Sequence, residues 1–276
     1  MTLVEWTKAK KYTIIILVVL NAVLLCLNIY KSFETKLSSG RISDVISLFE
    51  KDNITIACTL PKSYKPMAQI YTSDYSFDFI KVEKAFMEGE TNVKRTDEYN
   101  SVVFMSDNSR LSIKGSTINY TASLSKEISL NTEARNYGDN LIKRINESFG
   151  NYTFHSLSKN SEGYIIKYYE KSDNHNIFSN FVYFTIKGNN AAVALNYVKI
   201  GSEVGEKRDI YAADEALYSA SELIKEEIDK PNITSVELGY YAIRSNVGSE
   251  SLAVPFYLIM ANGREYYVNG YTGECF

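Results

Sequence analysis

The chain's two histidines, His155 and His175, and its three cysteines, Cys26, Cys58 and Cys275, are the side chains best suited to nucleophilic or metal chemistry. Neither histidine has a neighbour at metal-ligand spacing. A Cys58–His155 nucleophile and base pair would need the fold to join two distant segments, and nothing in the pattern supplies that contact. There is no Gly-x-Ser-x-Gly elbow, no phosphate-binding glycine loop and no His-Glu-x-x-His helix. The acidic pairs Glu226-Glu227 and Glu88/Glu90 read as solvated surface. No catalytic residue, metal ligand or cofactor-binding residue is assigned, so the chain reads as a non-enzyme that needs no cofactor. One bridge between Cys58 and Cys275 is open to the chain, but nothing resembles a disulfide framework and both read as free thiols.

Two amides stand out for a different reason. Asn21 and Asn28 interrupt the run Tyr12–Tyr30, which holds no Asp, Glu, Lys, Arg or His. As a helix this run is about 28 Å long, close to the hydrocarbon thickness of a bilayer. Residues seven apart fall about 20° from each other on a helix, so Asn21 and Asn28 share a face with Leu25, and Ala22 lies alongside. An amide in hydrocarbon needs a partner, and interhelical hydrogen bonds there contribute roughly 0.6–2 kcal/mol each. The face Asn21, Ala22, Leu25 and Asn28 is therefore expected to pack on a partner's transmembrane helix.

A cleaved signal peptide would have a shorter apolar core and a small-x-small site, whereas Lys31-Ser32-Phe33-Glu34 follows here. Lipoprotein processing at Cys26 is disfavoured by Leu25 before it. Lys8, Lys10 and Lys11 crowd the start of the span and favour a cytoplasmic N-terminus, although Lys31, Lys36 and Arg41 nearly balance them.

These residues must be positioned by the rest of the chain. Net charge is −3 with a pI near 5.6, which leaves no electrostatic footprint for nucleic acid. Tyrosine is abundant at 22 and proline rare at 4, a balance suited to sheet-rich structure rather than a disordered stalk. The organisation expected is a tail over 1–11, a transmembrane helix over 12–30, a polar connector over 31–40, one α+β lobe over 41–130 and a second over 131–276. In the first lobe the spacing predicts helices over 41–50 and 79–87, and strands over 53–60, 101–105, 110–114 and 116–123. In the second it predicts helices over 132–149 and 212–227. Strands are expected over 152–158, 164–171, 178–187, 191–200, 232–244, 254–260 and 265–269, with Asn262-Gly263 as a type I′ turn. The aromatics Tyr164, Tyr168, Tyr169, Phe178, Phe181, Tyr183 and Phe184 sit on consecutive strands. Most are expected in a core, with the remainder forming a patch that docks a partner.

The residues also support a resemblance. Val4-Glu5-Trp6-Thr7-Lys8-Ala9-Lys10 leads into one span, followed by a helix and by Asp52-Asn53-Ile54 through Leu60-Pro61. The chain closes with Pro255-Phe256-Tyr257 and with Tyr266-Tyr267-Val268-Asn269-Gly270-Tyr271-Thr272-Gly273-Glu274. Over nearly the full length this layout resembles YycI, a family of membrane-anchored regulators of the WalK/WalR two-component system in Gram-positive bacteria. The ending is also similar to PepSY-like domains. The resemblance implies an extracytoplasmic part of two α+β lobes, a WalK-like sensor histidine kinase as partner, a YycH-like companion, a link to cell-wall homeostasis and no catalysis. The alternative expectation is a membrane-tethered module that recognises a cell-wall component or inhibits an exported hydrolase.

Overall fold

The computed structural model describes residues 3–161, 163–243 and 250–276; along its first helix the side chains described are those of residues 6 and 10–27. That helix, α1 (Leu3–Glu34), contains the apolar run and continues beyond Tyr30. The helix therefore takes in the first part of the expected connector, leaving only Thr35 to Ser38 before α2 (Ser39–Lys51). The Ser38 hydroxyl accepts from Arg41 N at 3.2 Å and caps the start of α2. Strand β1 is shorter than expected, covering only Thr55–Ile56. Pro66 precedes β2 (Met67–Ser73), where a missing N–H costs no ladder bond. Asp78 caps α3 (Phe79–Phe86), and the chain turns away at Gly89 with φ +85°.

Strands β3 (Lys94–Glu98), β4 (Ser101–Met105), β5 (Ser109–Lys114) and β6 (Thr117–Ser123) form an antiparallel meander. Helix α4 (Asn131–Ser148) begins where Glu133 accepts from the Ser129 and Leu130 amides, at 3.1 and 3.3 Å. A second meander follows: β7 (Tyr152–Asn160), β8 (Gly163–Ser172), β9 (His175–Lys187) and β10 (Asn190–Asn196). Then come β11 (Lys199–Arg208), α5 (Ala213–Glu227), β12 (Asn232–Ile243), β13 (Glu250–Ala261) and β14 (Arg264–Asn269). Arg244, expected at the end of the β12 strand, lies outside the described residues. Positive φ at both Asn262 and Gly263 makes the predicted type I′ turn between β13 and β14.

The α+β class expected from the sequence is present. A separation into lobes at residue 130 is not. All fourteen strands among the described residues belong to one mixed sheet, and its pairings cross that boundary repeatedly. β6 pairs β10, β1 runs parallel to β12, and β2 lies between β11 and β13. Local hydrophobic patterning identifies strands but not their neighbours, so a boundary placed near residue 130 missed these long-range ladders.

The natural division is instead between two groups of strands that meet at β9. Its ladder with β8 skips Phe178, Ser179 and Asn180. Just before that break, Asn176 and Ile177 pair with Gly239 and Tyr240 of β12. On one side, α3 and α4 cover the central strands with Phe86, Leu141, Ile145, Ile166, Tyr168 and Phe184 in the core. On the other, α2 and α5 cover β12–β14 with Phe49, Ala216, Leu217, Ala220, Ile224 and Tyr257. The helix-free faces of the two groups share a third cluster, containing Tyr169, Phe178, Phe256 and Leu258. The charged strands β3 and β11, both unforeseen by apolar patterning, lie at the ends of the main strand path. Charge there discourages pairing with a further chain.

Candidate partner-binding surfaces and the sheet junction

The four residues expected to meet a partner helix lie on α1. Asn21, Ala22 and Leu25 are exposed, and none of the span Lys10–Leu27 is covered by the rest of the protein. The Asn21 amide makes no hydrogen bond among the described residues. The Asn28 side chain lies outside the described ones. The helix is long and apolar enough to cross a membrane.

Below the span the chain is tied directly into the fold. Leu37 N donates to Lys62 O at 2.8 Å, Tyr64 N donates to Thr35 O at 3.1 Å, and the Leu37 side chain is buried. One turn into α2, Arg41 donates from Nε to Asp214 Oδ2 at 2.5 Å and from Nη2 to Asp214 Oδ1 at 3.1 Å. Nη2 also donates to Glu215 Oε1 at 3.0 Å. Asp214 and Glu215 occupy the first turn of α5, where carboxylates also complement the helix dipole. The helix that follows α1 is thus joined to α5 through a fork of charge-assisted bonds.

The junction of the two strand groups holds a second polar assembly. Glu265 on β14 pairs with Lys167 on β8, and both are nearly buried. The same carboxylate accepts from Tyr183 at 3.2 Å and from Tyr267 at 3.0 Å, while the Tyr169 and Tyr183 hydroxyls are 2.6 Å apart. Burial pushes the Tyr169, Tyr183 and Tyr267 phenols well above their ordinary range, so they remain neutral donors. Beside them His155 Nε2 and Glu237 Oε1 are 2.9 Å apart, and Asn176 donates to Glu237 Oε2 at 3.0 Å. Desolvation opposes ionisation of Glu237, but His155 and its other hydrogen-bond partners hold its pKa below the usual value. These contacts join β7–β9 to β12 and β14 across the inner faces.

Next to this network lies an open groove of about 750 Å³, walled by Phe181, Tyr241, Phe256 and Phe276. Of the seven aromatics singled out in the sequence, Tyr164, Tyr168, Tyr169, Phe178 and Phe184 are core residues. Phe181 and Tyr183 are partly exposed, with ring centroids 4.4 Å apart. Burial therefore explains most of the set; of the remainder Phe181 lines the groove, while the Tyr183 hydroxyl belongs to the Glu265 network.

His155 is engaged with Glu237 and Ser156 rather than with Cys58. His175 rests edge-on to Tyr240, centroids 5.8 Å apart. All three cysteines are free. Burial pushes the Cys58 thiol up and the Cys275 thiol up to about 11, leaving both protonated and weakly nucleophilic at neutral pH. The interactions that sequence reasoning missed, Arg41 with Asp214, His155 with Glu237 and Lys167 with Glu265, join residues on distant strands and helices. No local motif marks them.

The model of the family described as "YycI protein" matches residues 34–271. The match begins after the apolar run. No curated protein matches the chain. Among solved structures, the chain is similar to an uncharacterized protein from Eubacterium rectale, with TM-score 0.52 and 11% identity over 81% of this chain and 89% of that one. At that identity the likeness is one of fold alone. A further structure, the YpeB C-terminal domain of Bacillus megaterium, aligns with TM-score 0.38 and 9% identity over 74% of this chain and 96% of that one.

Proposed function

Since the chain belongs to the YycI family, whose members are regulatory and generally non-catalytic, we propose that it is a membrane-anchored regulator of a WalK-like sensor histidine kinase. It acts with a YycH-like companion, through helix contacts in the membrane and protein contacts outside it. Residues 1–11 form a cytoplasmic tail, 12–30 span the membrane, and the sheet domain is extracytoplasmic. The observation that carries this reading is the uncovered span of α1, which presents the unpaired Asn21 amide and runs directly into the family-matched domain.

A regulator of this kind binds two states of the kinase unequally and shifts the population between them. Coupling of about 1–3 kcal/mol changes output roughly 5- to 150-fold. The face Asn21, Ala22, Leu25 and Asn28 supplies the differential contact in the bilayer. Crosslinking from position 21 in native membranes should capture a kinase helix, and Asn21→Leu with Asn28→Leu should change signalling output at least fivefold. Unchanged output with undiminished kinase co-purification would defeat the helix-packing role.

The groove walled by Phe181, Tyr241, Phe256 and Phe276 favours a second reading, in which the domain is a tethered extracytoplasmic binding module. Replacing the span with an unrelated one separates the two. A tether keeps its activity after the exchange, whereas a helix-packing regulator loses it.

A further inference from the structure

We infer that the first turns of chain outside the membrane form a basic contact with anionic lipid headgroups, fixing the height and tilt of the domain on the bilayer. This rests on the reading of α1 as an anchor. α1 remains helical to Glu34, so Lys36 lies about 9 Å beyond Tyr30 along the chain axis at about 1.5 Å per residue. That is just outside the headgroup layer, which is about 5–8 Å deep, and within about one Debye length of the lipid charge.

The fold then brings a second segment to this level. Lys36 forms an antiparallel bridge with Ser63, framed by the Leu37–Lys62 and Tyr64–Thr35 backbone bonds. Lys62 and Lys65 flank that bridge, and Lys36, Lys62 and Lys65 are all exposed. No ion pair engages them among the described residues, in contrast to Arg41, which is committed to Asp214 and Glu215. Lys65 shares a cavity rim with Asp173 and Glu203, so Lys36 and Lys62 carry most of the unopposed charge. The occupant is set by charge complementarity and by continuity with the span. An ammonium held beside a bilayer meets phosphate first, and α1 keeps this bridge at the lipid surface whatever protein is bound elsewhere. Lysine, a compact charge on a flexible stem, suits mobile headgroups that offer no fixed bidentate geometry.

The test uses the full chain in nanodiscs of neutral phosphatidylcholine or of phosphatidylcholine with one-third phosphatidylglycerol. A photoreactive residue replaces Ser63, and lipid adducts are counted by mass spectrometry. The expected result is at least threefold more adduct in the anionic discs, falling to the neutral level in 0.5 M salt and in the Lys36→Glu, Lys62→Glu double variant. Equal yields in the two discs, or an anionic preference that survives the double substitution, would overturn the lipid contact while leaving the anchor intact. A chain that does not remain integrated in the discs would overturn the anchor reading itself, and this inference with it.

Discussion

The two helix-covered groups of strands solve the same packing problem by different routes. The group under α3 and α4 comes mostly from one continuous stretch, from Phe79 to Asn196, and its core is rich in aromatic side chains. The group under α2 and α5 is assembled from stretches at opposite ends of the folded part, with alanines on α5 allowing the helix close to the sheet. Only the latter is continuous with α1, through Leu37 and the Arg41 fork. The difference separates stability from coupling. One group is held by local, apolar contacts, while in the other an ion pair ties α2, the helix that follows α1, to α5 and can be lost without dismantling a core.

The largest expected effect tests the local, apolar side of this comparison. Phe86 is buried with its ring centroid 5.4 Å from that of Tyr120. Phe86→Ala should lower the unfolding free energy by about 3–5 kcal/mol, measured by urea titration. Because β9 takes part in both groups, the loss should appear as one shifted transition rather than two. A loss below about 1 kcal/mol, or a split transition confined to this group, would break the comparison.

A smaller effect should sharpen it at α2, next to α1. Arg41→Ala leaves the carboxylate of Asp214 nearly buried without its cation. Arg41 itself is 41% exposed, so the cost should be about 1–2 kcal/mol rather than the larger figure for a fully buried pair. Adding Asp214→Asn should recover part of that loss by removing the stranded charge, a result readable in a double-mutant cycle. Arg41→Lys should restore charge but not the fork. On the proposed function, signalling output should change more in Arg41→Ala than in a core variant of equal stability if the fork transmits the position of α1.

These contrasts also explain what the sequence disclosed. Helices α2 to α5 and the meander strands β4 to β10 were legible because each repeats its apolar residues at a helical or a strand period. Their partners were not, since nothing in Met67–Ser73 announces that it lies between β11 and β13. Strands β3 and β11 were hidden because solvent-exposed strands carry no buried face to pattern them. At the candidate surfaces, Asn21 was visible as an amide in an apolar run. Arg41, Lys167 and Glu265 were invisible, because a charged residue in a polar-rich chain reads as surface until its distant partner is known.

The smallest effect has the opposite sign and probes the junction between the groups. Glu170 lies beside the break in β9 and accepts from Asn180, whose amide also donates to Val198 O at 2.8 Å. Desolvation raises the Glu170 pKa, and the Asn180 bond offsets only part of that. A carboxyl whose folded pKa is raised binds its proton more tightly in the native state. Its ionisation therefore costs stability as pH rises from about 4.5 through the folded value, and the penalty is constant above it. Glu170→Gln keeps an acceptor for Asn180 without the charge. It should be more stable than the parent chain at pH 7, and the advantage should shrink as pH falls toward 4.5. Reading the difference between the two chains removes the acid-side losses of Glu237 and the other carboxylates with lowered pKa, which are common to both. A variant less stable at pH 7, by an amount independent of pH, would mean that shape rather than desolvated charge sets the junction, and the bend in β9 would then be packed as firmly as the core beneath α4.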